Sequence, residues 1–118
     1  MEIREYLKAS ERTLINKGYD MNLLHAAMGI STESGEMLDQ LKRVIFYGKA
    51  LDVVNVKEEI GDLMWYIAIL IRELDLDFEE ILSLNIDKLK ARFPEKFTED
   101  KALNRDLSKE RNILEGSR

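Results

Sequence analysis

The stretch that decides the fold is VVNVKEEIGDLMWYIAILIREL, residues 53–74. Because an α-helix turns about 100° per residue, the apolar side chains of this stretch cover nearly the whole circumference of a predicted helix. Such a helix is normally buried by its neighbours. Its one polar stripe, spaced by four, three and four residues, consists of Asn55, Glu59, Asp62 and Tyr66. The stretch therefore predicts a buried helix with two carboxylates on its single polar edge.

Helical patterns also occupy most of the remaining chain, and no segment alternates with a strand period. Predicted helices cover residues 3–17, residues 20 or 22 to 46, residues 53–74 and residues 78–93. Glycines, at 18 and 48, end the first two, and Asp52 and Asp77 precede the last two as N-caps. The expected fold is an all-α bundle of four main helices with a C-terminal tail. We expect a helical domain of residues 1–94 and a charged extension of residues 95–118, with Thr98 capping a short helix.

Composition excludes several classes of protein. The 118 residues suffice for one domain with one core. A formal net charge of −5 argues against a non-specific nucleic-acid binder, and the longest apolar stretch is too short to span a bilayer. The absence of cysteine removes disulfides and thiolate metal sites, and it fits a cytoplasmic protein best. We therefore expect partners that are neither nucleic acid nor membrane.

A second acidic pair lies on the preceding predicted helix. Glu33 and Glu36 are one helical turn apart, as are Glu59 and Asp62. If the two helices are antiparallel neighbours, the four carboxylates converge. A lone acidic pair usually marks a solvated helix face, but the second pair is followed by an uncharged stretch, residues 63–71, and a carboxylate in apolar surroundings needs a partner. A divalent cation that carries a phosphate-bearing substrate is the simplest such partner.

The residue types indicate which metal these four acids would bind. All are carboxylates, and the chain has one histidine and no cysteine. Hard oxygen ligands suit Mg²⁺, with Mn²⁺ as its substitute. A di-iron bundle would need Glu-x-x-His motifs, which a single histidine cannot supply in the usual form.

At these residues the chain resembles the MazG-like, all-α nucleoside triphosphate pyrophosphohydrolases. The pattern of that family is Glu-x-x-Glu, a spacer and Glu-x-x-Asp, and the chain matches it with Glu33-Ser-Gly-Glu36 and Glu59-Ile-Gly-Asp62. The flanking segments match as well: GISTESGEMLDQLKRVIFYGKALD, VKEEIGDLMWYIAIL, NIDKLKARFPEKF and NRDLSKE. The resemblance covers roughly residues 20–112. The combination of four acids with ordered flanking segments is highly specific.

The resemblance implies a helical bundle that holds Mg²⁺ through the four acids, which are then both metal-binding and catalytic residues. It implies hydrolysis of a nucleoside triphosphate, standard or modified, to the monophosphate and pyrophosphate. It also implies a homodimer or a dimer of dimers in which two subunits complete the bundle. Two alternatives stay open: a base-specific enzyme of the dUTP/dCTP or phosphoribosyl-ATP type, and a non-enzymatic helical module that oligomerises through its third helix.

One set of candidate substrate contacts lies on the fourth predicted helix. A polar stripe there, spaced by three and four residues, consists of Asn85, Lys88 and Arg92. Cations offset triphosphate charge, and arginine can bind phosphate through two hydrogen bonds. A solvated or salt-bridged helix face explains the stripe equally well from composition alone, and the resemblance favours the substrate role.

Three further residues are candidates for substrate binding. Tyr66 matches a position that contacts nucleotide in similar enzymes, although core packing explains it almost as well. His25 shares the acidic stripe of the second helix, where a structural role is the usual one. Lys49, next to Gly48, could reach the outgoing phosphates or be an ordinary loop residue. Trp65 points elsewhere and is expected in the core or at a subunit interface.

Overall fold

Six α-helices form within residues 1–116, the part of the chain that the computed structural model describes. In chain order they are α1 (Ile3–Glu11), α2 (Tyr19–Tyr47), α3 (Val53–Glu73), α4 (Phe78–Arg92), α5 (Glu99–Leu103) and α6 (Leu107–Leu114). These residues contain no strand, so the all-α prediction is confirmed. Among the same residues, no helix is both long enough and apolar enough to cross a membrane.

α3 and α4 begin and end within one residue of the predicted bounds, 53–74 and 78–93. α2 ends one residue after the predicted end, residue 46, and begins one residue before the earlier of its two predicted starts, residues 20 and 22. α2 is closed by Gly48, whose φ of 63° is a left-handed conformation that glycine adopts at little cost. Asp52, Asp77 and Thr98 each accept a hydrogen bond from the backbone N–H three residues further on. Gly48 and Asp52 therefore determine where α2 ends and where α3 begins, and these are the two helices that carry the acidic pairs.

The first helix is shorter than predicted, because α1 ends at Glu11 and not near residue 17. Beyond that end, side chains bond to the nearby backbone. The Thr13 hydroxyl donates to the Ser10 carbonyl at 2.9 Å, and the Asn16 side-chain oxygen accepts from the Gly18 N–H at 3.0 Å. Local bonds of this kind compete with helical hydrogen bonds, which explains why the helix does not continue.

Asn22 anchors this non-helical segment to the rest of the fold. Its side chain is buried, and its oxygen accepts from the Lys17 N–H at 3.1 Å. Its amide nitrogen donates to the Asn16 side-chain oxygen at 3.1 Å and to the Glu73 carboxylate at 2.8 Å. The segment is thereby held against the start of α2 and the end of α3.

α2 and α3 pack as an antiparallel pair. The start of α2 meets the end of α3 through Asn22 and Glu73, whereas Glu33, in the middle of α2, lies beside Glu59, near the start of α3. Ala26 is completely buried in this contact. The buried apolar residues of α3 are Ala68, Ile69 and Ile71. The two acidic helices are therefore direct neighbours, which is the condition under which their carboxylates could converge.

α1 and the segment after it pack on α3. Arg72 donates to the Leu7 carbonyl and to the Ser10 hydroxyl, both at 2.8 Å. The indole nitrogen of Trp65 donates to the Thr13 hydroxyl, also at 2.8 Å. Trp65 is half-buried, and its polar end has the hydrogen-bond partner that such a side chain requires.

The chain divides into two compact units, of which the first, Met1–Leu76, contains α1 to α3. The second begins at Asp77 and contains α4 to α6. Within it, α6 packs on α4. The division predicted from the sequence, a domain of residues 1–94 and an extension of residues 95–118, falls inside the second unit and stays a prediction.

A buried carboxylate joins the elements of the second unit. Glu110, on α6, is only 4% exposed and lies between two arginines. Its oxygens accept from Arg105 Nε at 3.0 Å and from Arg92 Nε at 2.9 Å. The Arg105 guanidinium, helped by that of Arg92, holds the pKa of the Glu110 carboxyl below its usual value.

Replacing Glu110 by glutamine is expected to destabilise this unit in a pH-dependent way. A carboxyl whose folded-state pKa is lowered contributes stability above its unfolded pKa, about 4.3, and loses that contribution as the pH falls through the folded-state value. Glu110→Gln should thus unfold at a lower temperature than wild type at neutral pH, and the difference should shrink below about pH 4. The exposed Glu95→Gln variant is the matched control. A gap that widened on acidification would contradict the ion-pair assignment.

Candidate metal centre

Three carboxylates from α2 and α3 come together in the first unit. Oxygen atoms of Glu33, Glu59 and Asp62 all lie within 4.8 Å of one another. They face each other because the helices are antiparallel and the acids recur at one-turn spacing on the facing stripes. Glu36, the fourth predicted ligand, is exposed and is not part of this group of three.

The group is short of positive charge and of hydrogen-bond donors. Glu59 is 4% exposed, and Asn55 donates a long bond of 3.4 Å to one of its oxygens. The second oxygen, Oε2, is buried without a hydrogen-bond partner within residues 1–116, and so is Oε2 of Glu33. Ionised carboxylates are rarely buried unless they are paired or bind a metal. The arrangement therefore needs either protons or a cation.

The same crowding raises the pKa of two acids. Glu33 raises the pKa of the Glu59 carboxyl by sharing a hydrogen bond with it, and burial adds to the effect. Glu59 in turn raises the pKa of the Glu36 carboxyl through a shared hydrogen bond. A hydrogen bond between two carboxyls needs a proton, so the oxygens lose this partner when both groups are ionised. A bound cation would relieve that repulsion.

The donor set fits Mg²⁺ or Mn²⁺. Every member of the group of three is a hard oxygen ligand, and the buried oxygens of Glu33 and Glu59 have coordination capacity that no protein donor uses within the described residues. Mg²⁺ is usually held by a few carboxylates, with water and substrate phosphate filling the other positions. Three converging carboxylates leave room for both.

An aromatic cluster lies further along the same two helices. The Tyr66 ring packs edge-on against those of His25 and Trp65, with centroid distances of 5.5 and 5.1 Å, and His25 is 6.1 Å from Trp65. Tyr66 also lies directly against Gly29, where a Cβ atom would clash with the carbons of its ring. Glycine at position 29 therefore allows the tyrosine to reach α2.

A cavity of about 350 Å³ adjoins this cluster. Its walls are mostly apolar and consist of Thr13, Ile15, Lys17, Met21, Asn22, Leu24, His25, Met28 and Trp65. The sequence did not predict this cavity, because residues 12–17 were assigned to the first helix. The sequence signal for a non-helical segment was the pair Thr13 and Asn16, because threonine and asparagine side chains favour turns over helix.

Comparison with known proteins identifies the family. The model of the MazG nucleotide pyrophosphohydrolase domain matches residues 23–97. The chain belongs to this MazG family. The MazG chain is also similar to the "Gene 37 protein" of Mycobacterium phage L5, with 31% identity over 77 residues. The aligned region covers 59% of this chain and 65% of that relative. No solved structure matches the chain.

Lys49 of the MazG domain lies in the turn between α2 and α3. It lines a surface cavity of about 460 Å³ with Gln40, Arg43, Tyr47, Ala50 and Asp52. Arg43 is held by Asp39 on its own helix, at 3.0 Å, and Asp39 also binds Lys42, at 2.9 Å. Gln40 is one turn beyond Glu36, so this polar cavity begins next to the acids on α2.

The other predicted substrate residues lie on α4, in the second unit. Asn85 is exposed and Lys88 is half-buried. Arg92 is mostly buried and forms the ion pair with Glu110, a partner that the sequence did not predict. Arg92 therefore has a structural role in this ion pair besides its predicted role in substrate binding. Asn85 and Lys88 are then the stronger candidates for substrate contacts on this stripe.

Proposed function

We propose that the chain hydrolyses a nucleoside triphosphate, standard or modified, to the monophosphate and pyrophosphate with Mg²⁺ as its cofactor. The observation that carries the proposal is the pair of buried, unpartnered oxygens of Glu33 and Glu59 beside Asp62. A purely structural cluster would pair these acids with arginine or lysine, as the second unit does for Glu110. MazG proteins generally depend on a divalent metal, which agrees with this assignment.

The carboxylates have separate tasks in this mechanism. Glu33, Glu59 and Asp62 would hold the cation, which when bound supplies positive charge to the phosphate oxygens and activates water. Glu36 stands at the exposed edge of the group and accepts the proton of the attacking water. Glu33 is the second candidate for this role.

The nucleotide would extend from the acids in two directions. His25 and Tyr66 place aromatic and polar edges next to the apolar cavity, which suits a base and sugar. Lys49, with Gln40 beside it, offers a cation for the outgoing phosphates. Asn85, Lys88 and Arg92 remain candidates for phosphate or sugar contacts. A homodimer or a dimer of dimers is part of the same proposal.

A panel of NTPs and dNTPs with Mg²⁺, assayed for pyrophosphate and monophosphate, tests the proposal. We expect equal amounts of the two products and no turnover in EDTA. In ¹⁸O-labelled water, the label should appear in only one product, which identifies the phosphorus that is attacked. Release of orthophosphate and nucleoside diphosphate would refute pyrophosphohydrolysis. Turnover of a single base would favour a dUTP/dCTP-type enzyme, and no turnover with Mg²⁺ or Mn²⁺ would favour the non-enzymatic module.

A further inference from the structure

The apolar cavity in the first unit has two walls of different origin. One wall belongs to α2 and α3, and most of it lies within residues 23–97, which the MazG model matches. The other wall is the segment between α1 and α2, residues 12–18, here called the strap. The strap lines the cavity with Thr13, Ile15 and Lys17, all outside the matched region. The family match therefore covers one side of the cavity and does not extend to the strap.

Hydrogen bonds hold the strap at both ends. The Trp65 indole nitrogen donates to the Thr13 hydroxyl at 2.8 Å, and the Lys17 N–H donates to the Asn22 side-chain oxygen at 3.1 Å. Ile15 lies between these two anchors, and its side chain is 75% exposed. A side chain that is so exposed contributes little to stability. A wall that hydrogen bonds hold in place can, however, select a ligand by its shape.

The polar side chains that hold the strap are bonded to the protein itself. The Thr13 hydroxyl donates to the Ser10 carbonyl at 2.9 Å and accepts from Trp65. The Asn22 side chain, only 2% exposed, uses its oxygen for one hydrogen bond and its amide nitrogen for two. These groups therefore have little capacity left for a ligand in the cavity.

Two polar side chains of the cavity wall, His25 and Lys17, have no hydrogen-bond partner within residues 1–116. Neither distinguishes strictly between bases. A neutral imidazole donates from one nitrogen and accepts at the other, so it can pair with a donor or with an acceptor. The lysine ammonium is a point charge at the end of a flexible chain. The cavity therefore discriminates between ligands mainly through the shape of its apolar walls.

The cavity lies on the same pair of helices as the acids. On α3, Tyr66 is one turn beyond Asp62, and its ring packs on His25 with a centroid distance of 5.5 Å. On α2, His25 is eight residues before Glu33, which corresponds to about 12 Å along the helix axis. A base in the cavity would therefore direct its sugar and phosphates along the two helices toward the carboxylates.

We infer that the strap selects the nucleotide base by size, with Ile15 as the residue that contacts the base, an inference that rests on the proposed hydrolysis of a nucleoside triphosphate. The volume of about 350 Å³ and the mostly apolar walls suit a base, since ligand pockets begin at about 300 Å³. Readout by hydrogen bonds rejects wrong substrates by about 10⁴–10⁵, whereas an apolar pocket separates ligands that differ by one methylene by only about 10–200-fold. The four standard bases, and bases that carry an added methyl group, thus belong to the substrate class.

The fluorescence of Trp65 measures base binding without hydrolysis, because Trp65 is the one tryptophan of the chain and lines the cavity. Nucleoside triphosphates with an α,β-methylene bridge cannot release pyrophosphate, and with Mg²⁺ all four standard bases in this form should change the fluorescence. Inorganic pyrophosphate, which has no base, should leave it unchanged. The four dissociation constants should lie within about 200-fold of one another. A wider spread would show hydrogen-bond readout, and an unchanged fluorescence would show that the base lies elsewhere; either result would overturn the inference.

Ile15→Ala tests the role of the strap in the same titration. The variant widens the cavity on the side of the strap, so the affinity for purine analogues relative to pyrimidine analogues should rise at least about tenfold. Ile45→Ala is the matched control, because Ile45 is 71% exposed and does not line the cavity, and it should keep the wild-type ratio. An unchanged ratio in Ile15→Ala would overturn the inference.

The titration and the pyrophosphate assay separate this inference from the proposed function. Pyrophosphate release together with an unchanged ratio in Ile15→Ala would refute selection by the strap and leave the hydrolysis standing. A ratio that shifts in Ile15→Ala, without pyrophosphate release from unmodified nucleotides, would support the base site and refute the hydrolysis.

Discussion

Glu59→Gln is expected to reduce kcat/KM for nucleoside triphosphate hydrolysis about 100- to 1,000-fold. The change removes the most buried carboxylate of the group that would hold the cation, and a bound metal supplies several kcal/mol of charge stabilisation, with each 1.36 kcal/mol equal to a tenfold change in rate. Initial rates of pyrophosphate release at varied Mg²⁺ measure the effect. Glu58→Gln, one residue away and exposed, is the matched control and should retain normal activity.

Glu59→Gln, which is expected to lower activity, should raise the stability of the cation-free protein. The pKa of Glu59 is raised in the folded state by Glu33, so above its unfolded pKa the ionised group costs stability. Without divalent cation at neutral pH, Glu59→Gln should therefore unfold at a higher temperature than wild type, and the gap should close below about pH 4. Mg²⁺ should raise the unfolding temperature of the wild type more than that of the variant. A variant less stable than cation-free wild type at neutral pH would contradict the proposed repulsion.

Gly29→Ala is expected to destabilise the first unit by about 1–3 kcal/mol, the usual cost of overpacking a filled core. The added methyl group would clash with the Tyr66 ring, so the ring or α2 must move. Since Glu33 and Asp62 lie about one turn away on the same helices, we also expect a loss of hydrolytic activity. Urea unfolding and the pyrophosphate assay measure the two effects.

The matched control is another helical glycine on the same pair of helices. A Cβ atom at Gly61 would have nothing within 4 Å, so Gly61→Ala should stabilise the protein by about 0.5–1 kcal/mol through helix propensity. The double variant Gly29→Ala/Tyr66→Leu should recover stability relative to Gly29→Ala, because leucine removes the ring. Equal stability of Gly29→Ala and wild type would show that Tyr66 does not depend on this glycine.

The local parts of the fold could be predicted from sequence, because their causes lie within a few residues. Gly48 and the N-caps Asp52 and Asp77 act on the adjacent turn, and their helices end where predicted. The end of α1 was wrong, because the segment after it is held by Asn22, whose partner Glu73 is 51 residues away. Nothing in the helical period reveals such a bond.

The candidate site was also predictable in part, namely where it depends on the period of a single helix. Helical spacing puts each acidic pair on one stripe of its helix, since that depends only on the period of the helix. The antiparallel packing of α2 and α3 then brings Glu33, Glu59 and Asp62 together. Spacing does not determine side-chain rotamers, so it could not show that Glu33, Glu59 and Asp62 form the tightest group while Glu36 lies at its exposed edge, next to Glu59. Nor was the pairing of Arg92 with Glu110, because the helix that carries Glu110 follows an irregular turn. The roles of these residues stay predictions.

The contact between Gly29 and Tyr66 would have a consequence for ion selectivity at the proposed metal site. It determines how closely α2 and α3 approach, about one turn from Glu33 and Asp62. Mg²⁺ requires oxygen ligands at about 2.0–2.1 Å, whereas Ca²⁺ accepts about 2.3–2.6 Å. If the acids hold a cation as proposed, the side-chain volume at position 29 would influence the gap between the carboxylates, and a larger residue there would favour the larger ion. Discrimination between the two cations would then depend on a residue that contacts neither.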